Sequence, residues 1–365
     1  MGVPLSVLDL APLVAGGDVG DALRRTLDLA RRAEQFGYHR YWVAEHHFTP
    51  GVASAQPALL LGQIAAVTDH IRLGSGAVQT GHQTALSIVE QFGLLDALYP
   101  GRFDLGLGRS GQAKSEALRQ QQAAQPAEAR EVGGLLIPKH FSWAPIFASD
   151  RSALIGRLLQ QPGAESLPLG EILDQIQALL AGPYSDGKGN EVTAVPGAGA
   201  DLQLWLLGSS GGESARTAGA RGLPFVANYH VAPAKVLEAV QAYRSAGGRH
   251  LMVSADVIVA EDDATARRLA LPYALWVRSI RTGRGAVPFP TIEQALSHEW
   301  TDADRALVAD RVDTQFAGSP ATVAERLRTL REVTGADELL ITTITHRHSD
   351  RVRSFELLAK EWAVL

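Results

Sequence analysis

Three adjacent ionisable side chains, Glu45-His46-His47, end the apolar run Tyr41-Trp42-Val43-Ala44. A histidine with a carboxylate neighbour is a natural acid–base or hydrogen-bonding group near neutral pH. The same residue types also ligate metals, but zinc needs a third ligand from elsewhere. The remaining histidines, His39, His70, His82, His140, His230, His250, His298, His346 and His348, offer no spaced metal motif. No metal site is therefore expected. On the residues alone, a functional site and a structural loop stay equally open.

A second group of stretches suits an anion. In "LGLGRS" (Leu105 to Ser110), two glycines permit close backbone approach and Arg109 follows with a fixed positive charge. Arginine pairs well with phosphate through two parallel hydrogen bonds. Alone, it would more often close a helix or an ion pair. In "LLGSSGGESA" (Leu206 to Ala215), small residues precede a helical pattern. Backbone N–H groups and serine hydroxyls there would make an anion cradle; an ordinary Ser/Gly helix cap is the plainer reading. Neither the Gly-x-Gly-x-x-Gly dinucleotide pattern nor a P-loop is present. "GSGAV" (Gly74 to Val78) would leave room for a flat ring system or for close helix–strand packing. "GHQ" (Gly81 to Gln83) is a weak candidate, more often an ordinary polar loop.

These stretches need strands to carry them. Short β-branched or leucine-rich runs occur near 5–10, 40–44, 71–78, 103–107, 203–207, 224–228, 251–258 and 338–343. Helical patterns fall between them, at Asp21 to Phe36, Gln56 to Val67, Thr84 to Leu98, Glu171 to Leu180, Glu213 to Ala220, Pro233 to Tyr243, Ala264 to Val277 and Ala321 to Val333. The alternation indicates a parallel α/β fold, and its strand count is that of a (β/α)8 TIM barrel. Counting does not exclude a doubly wound sheet. Residues just past barrel strands point into the active-site mouth, which is where Glu45-His46-His47, Arg109 and Ser209-Ser210 would lie. An insertion after strand four, about 111–200, and a smaller one near 279–318 interrupt the pattern. Either covers the mouth or decorates the surface.

Composition narrows the class. With 46% hydrophobic and 20% charged residues, the chain has a soluble globular profile. A net charge of -5 argues against nucleic acid as a partner. The absence of cysteine excludes disulfides and thiolate chemistry and suits a cytoplasmic protein. The start shows no signal-peptide pattern, and no apolar run is long enough to span a bilayer.

The chain resembles the bacterial luciferase-like flavin monooxygenases, in their single-chain oxidoreductase subgroup. The resemblance lies in "LSVLDLAP", "AEQFGYHRYWVAEHHFTPG", "IRLGSGAV", "VEQFGLLDALYPGRFDLGLGRS", "LWLLGSSGG", "GLPFVANYHVAP" and "AGSPATVAERLRTLREVTGADELLITTITHRHSDRVRSFELLAKEW". It covers nearly the whole chain except about 111–165. It implies one (β/α)8 domain over residues 1–365, usually dimeric. It implies reduced FMN from a separate flavin reductase, molecular oxygen, a C4a-peroxyflavin and an organic substrate. Some relatives use the deazaflavin F420 for hydride transfer, for which Lys139 and Arg278 offer only a modest basic supply.

Carried onto this chain, the resemblance makes His46 the acid–base residue beside the flavin, with Glu45 and His47 as support. It implies a cis peptide at Gly76-Ala77, a phosphate-binding Arg109, a flavin and phosphate segment at Leu207, Gly208, Ser209, Ser210 and Gly211, and a recurrent glutamate at Glu90. One loop departs from the family: relatives often carry a Pro-Asn-His-Ser-Pro-like turn where this chain has "TGHQTA" (Thr80 to Ala85). The apolar segment from Phe141 through Trp143 to Phe147 suggests a hydrophobic substrate or a packed insertion. A non-catalytic flavin-binding protein is a further alternative.

Overall fold

The computed structural model describes residues 2–109 and 128–364. Among them, eight parallel strands form the centre: β1 (Leu5–Asp9), β2 (Arg40–Val43), β3 (Arg72–Ser75), β4 (Phe103–Gly108), β5 (Gln203–Gly208), β6 (Phe225–Asn228), β7 (Leu251–Val259) and β8 (Glu338–Thr342). Each pairs with the next, and β8 pairs with β1, so the sheet closes into a (β/α)8 barrel. Closure rules out the doubly wound sheet. The β4–β5 seam, with Leu105 opposite Leu204, closes across the long insertion. The strands lie where the apolar runs predict them.

Period-two alternation sorts each strand's side chains. Leu8, Trp42, Trp205, Leu207, Val226, Met252 and Leu340 belong to one buried cluster inside the barrel. Val7, Tyr41, Val43, Leu73, Leu105, Leu206, Phe225, Val253 and Leu339 belong to another, shared with the helices. Each fully buried apolar side chain of this size contributes about 1.5–3 kcal/mol. Towards the strands' N-terminal ends the barrel is filled by charge. Asp104 accepts hydrogen bonds from Arg40 (2.7 Å), Arg72 (2.6 Å) and Trp42 (2.9 Å). Glu338 accepts from Arg40 (3.1 Å) and Ser6. Both arginines thus have carboxylate partners, as buried charges require.

The glycines of "GSGAV" serve this packing. A Cβ at Gly74 would lie 2.5 Å from Trp42 Nε1, and one at Gly76 2.8 Å from Leu8 Cδ1. The space they leave on that side holds the Trp42 and Leu8 side chains.

Both insertions occur where expected, after β4 and late in the chain, but their bounds differ from 111–200 and 279–318. Leu169–Ala181 lies within 111–200, yet Ile172, Leu173 and Ile176 join the helix–strand cluster. It is the helix that follows β4. The excursion therefore splits into a segment before it and a hairpin, Tyr184–Ser185 with Glu191–Val192, after it. The late excursion begins earlier than 279. Asp263–Arg281 has the pattern of a barrel helix, but Tyr273, Trp276 and Val277 join the apolar cluster of the barrel interior. The barrel helix after β7 is Pro320–Thr334, capped by Ser319. Helices Asp150–Leu159, Asp302–Val312 and His348–Ala363 were not singled out in the sequence pattern. The glutamine- and alanine-rich stretch after Arg109, with Ser110, lies outside the described residues.

Candidate active site

The Glu45-His46-His47 segment leaves β2 at the C-terminal face of the barrel. Ser54 ties it down: its backbone carbonyl accepts from His46 N (2.9 Å), and its hydroxyl donates to Ala44 O. Phe48 then turns the chain with φ +53°, a left-handed conformation that is rare for a bulky residue. The three side chains do not share one environment. Glu45 is buried, while His46 is exposed in the mouth. His47 is half-buried and its Nε2 lies 2.8 Å from Glu45 Oε1.

Glu45 is the hub of a small polar cluster. Its Oε2 accepts from Gln79 N (3.0 Å), and its backbone carbonyl accepts from Gln79 Nε2 (2.6 Å). His82 Nε2 lies 3.6 Å from Glu45 Oε1, and its ring meets that of His47 edge-on at 5.2 Å. Burial pushes the Glu45 carboxyl upward in pKa; the hydrogen bond from His47, the Gln79 N–H and Gln83 only partly oppose it. Burial and the neighbouring His47 push His82 down to about 4. His46 is likewise pushed down to about 4 by desolvation and by His47. Protein atoms crowd the imidazole although part of the residue's surface is open.

His230, just past β6, faces the same region. Its Nδ1 lies 2.5 Å from Ser254 Oγ on β7. Desolvation, then Arg311 and His46, push it down to about 3. Behind it, Asp256 accepts from Gln315 Nε2 (2.9 Å), and Arg311 donates to the Tyr273 hydroxyl (2.6 Å). His82 was a weak expectation in sequence, and His230 was not expected. The usable signal for both was position: each follows the C-terminal end of a barrel strand.

The two stretches that suit an anion meet across the β4–β5 seam. Arg109 Nε donates to Ser214 Oγ (3.1 Å), and Nη1 donates to Glu213 Oε2 (3.1 Å). Both partners open the helix Glu213–Ala220, whose first-turn N–H groups and dipole favour an anion. Leu207 points into the barrel cluster, and Gly208, Ser209, Ser210 and Gly211 run from β5 towards that helix. Gly211 N donates to Glu238 Oε1 (3.2 Å), and Lys235 Nζ lies 2.9 Å from Glu238 Oε2. Arg109 and the Gly211 N–H thus already donate to carboxylates, so this donor set fits an anionic group.

Gly76–Ala77 is a cis peptide. Ala77 packs against the interior cluster, at the floor of the mouth. Glu90 does not join the site. It lies exposed on the helix Ala85–Leu98, among residues that face away from the strands. Arg278 pairs with Asp304, and Lys139 is exposed, 3.9 Å from Glu128. Neither reinforces the cradle.

The insertion grips both loops of the Glu/His cluster. Arg151 donates to Phe48 O (2.7 Å), while Gln160 (2.9 Å) and Ser166 (2.8 Å) donate to Gly81 O. Phe141 stacks on the Arg281 guanidinium at 3.5 Å, and Trp143 lies 5.1 Å from it. The aromatic segment is thereby packed against the late excursion.

Comparison with known proteins agrees with this architecture. The family model for luciferase-like monooxygenases matches residues 4–134 and 167–338. A Bacillus subtilis relative, the uncharacterized protein YvbT, is 35% identical over 98% of this chain and 96% of its own. A luciferase-like monooxygenase of Escherichia coli is 33% identical over 97% and 96%. The crystal structure of apo-MsnO8 superposes with a TM-score of 0.78 at 29% identity, covering 100% and 98% of the two chains. Two structures share the fold at lower identity. One is the oxygenating constituent of 3,6-diketocamphane monooxygenase from Pseudomonas putida in complex with FMN (TM-score 0.66, 19% identity, 100% and 98% covered). The other is an F420-dependent secondary alcohol dehydrogenase (TM-score 0.62, 14% identity, 99% and 98% covered). With a barrel of this topology and a family match along most of its length, the chain belongs to the luciferase-like monooxygenase family.

Proposed function

We propose that the protein is a flavin-dependent monooxygenase. It would use reduced FMN and molecular oxygen to oxygenate a small, hydrophobic organic substrate. The observation that carries this reading is the Arg109–Ser214–Glu213 contact, which sets a cationic fork beside a helix N-terminus at the barrel mouth. Arg109, the Ser209-Ser210-Gly211 backbone and the start of Glu213–Ala220 would hold the FMN phosphate. Reduced FMN, delivered by a separate reductase, would supply the electrons that activate oxygen. The apolar barrel interior under Ala77 and the insertion over the mouth would exclude water, which otherwise wastes the oxidant. His46, the residue presented to the open mouth, would hold or move a proton at the reacting edge. Glu45 and His47 would fix the loop that carries it.

FMN is favoured over F420 by the charge around the cradle. Glu213 and Glu238 flank it, and a longer acidic tail would meet both carboxylates. Titration of the purified protein with FMN, riboflavin and F420, followed by oxygen uptake with reduced FMN, tests this directly. Tighter binding of F420 than FMN would move the assignment to hydride transfer. FMN binding with no oxygenated product across a broad hydrophobic substrate panel would leave a flavin-binding protein.

A further inference from the structure

Two imidazoles converge on one oxygen of Glu45. We propose that Glu45, His47 and His82 form a binding site for one divalent transition-metal ion of the zinc class. Glu45 Oε1 lies 2.8 Å from His47 Nε2 and 3.6 Å from His82 Nε2. The three ligating atoms all lie within 4.8 Å of one another. A tetrahedral ion with bonds of about 2.0–2.1 Å sets its donors roughly 3.3 Å apart. Small side-chain rotations therefore bring all three onto one ion. A hydrogen-bonded pair accounts for His47 beside Glu45. It does not require a second imidazole on the same oxygen, brought from a different loop.

The site is held in the manner of a metal site. The Glu45, His82 and His47 side chains are 1%, 8% and 16% exposed. The other Glu45 oxygen, Oε2, is already oriented by Gln79 N, and the Gln79 amide holds the Glu45 carbonyl. Such outer contacts fix a ligating carboxylate. The Thr80–His82 turn is fixed by Thr80 Oγ1 to Gly108 O (3.2 Å) and by the bonds to Gly81 O from Gln160 and Ser166. Two imidazoles and one carboxylate suit zinc, cobalt or nickel, whereas calcium and magnesium take oxygen ligands. Three protein ligands leave the fourth position open to water or a small ligand.

The test uses the full chain, stripped with a chelator and free of flavin, so its outcome is independent of the FMN titration. Cobalt(II) is titrated and its visible ligand-field bands recorded; zinc(II) binding is measured by calorimetry. The expected result is one equivalent per chain and the intense spectrum of tetrahedral cobalt. His82→Gln and Glu45→Gln each weaken binding by about tenfold or more. Zinc raises the melting temperature of the wild type more than that of either variant. Weak uptake without stoichiometry, or affinity unchanged in both variants, overturns the site. Circular dichroism checks that the variants fold. Should Glu45→Gln fail to fold, His82→Gln and His82→Ala, on the loop side of the cluster, decide the question.

Discussion

Arg109→Met removes a charge and a hydrogen-bonding fork while keeping most of the side chain's bulk. In the structure Arg109 reaches Ser214 and Glu213, each at 3.1 Å, and its side chain is 14% exposed. A hydrogen bond to a charged group is worth about 1.5–3 kcal/mol. Losing one such bond to phosphate corresponds to FMN binding weakened about 10- to 150-fold. Riboflavin lacks the phosphate, so its affinity should change by no more than about twofold. Glu213 competes for the same fork, but it is 38% exposed, which limits its hold to about 1 kcal/mol or less. Glu213→Gln should accordingly tighten FMN binding by up to about fivefold. Flavin fluorescence or calorimetric titration of both ligands reads all three values. Raising the salt concentration should weaken FMN binding to the wild type more than to Arg109→Met. Equal losses for FMN and riboflavin, or wild-type FMN affinity in Arg109→Met, would refute the phosphate role.

Three other outcomes follow. His46→Gln should lower oxygenated product by about 100-fold or more while FMN affinity stays within about threefold; an unchanged ratio of product to FMN oxidised removes His46 from the chemistry. The buried Asp9 carboxylate accepts from Arg351 (2.6 Å), Thr26 (2.7 Å) and Ala11 N (2.8 Å). Burial raises its pKa, but the Arg351 charge and the bonds from Arg351, Tyr41 and Thr26 outweigh it, and the net direction is down from 3.8. A depressed folded value stabilises the protein above the unfolded carboxyl pKa, and that stability is lost as pH falls through the folded value. Asp9→Asn should cost about 3–5 kcal/mol at pH 7 and flatten this acid limb; parallel stability curves in acid for both proteins would contradict it. Gly106→Ala would place a Cβ 2.0 Å from Ser75 O, a backbone atom that cannot rotate away. Overpacking of this kind costs about 1–3 kcal/mol or more, so a wild-type melting temperature would show that the β3–β4 seam gives way without cost.

The strands were legible because both their faces are buried. Runs such as "LMVSADVI" (251–258) read as strand without knowledge of their partners. Helix Asp263–Arg281 was legible as a helix but not as a mouth-side element. Its apolar stripe is the same whether it packs on the outside of the strands or on the interior cluster. Leu169–Ala181 shows the converse: its helical pattern, Glu171 to Leu180, was legible, but the turn-rich sequence around it grouped it with the insertion although it is a barrel helix.

For the candidate site, local sequence determined the groups and their places on the chain. Glu45-His46-His47 follows an apolar strand, Arg109 follows a glycine-bearing strand, and Ser209-Ser210-Gly211 precedes a helix; each position at a strand end is a local property of backbone and side chain. Convergence is not local. His82 lies beside Glu45 because the Thr80–His82 turn is pinned to β4 and to the insertion, through contacts from Gly108, Gln160 and Ser166. His230 meets the mouth because β6 and β7 are neighbours in the closed ring, with Asn228 opposite Ser254. The carboxylates on the cradle donors, Glu213 and Glu238, also come from packing between elements. Which neighbour each polar group meets depends on long-range closure, and one-dimensional spacing carries no trace of it.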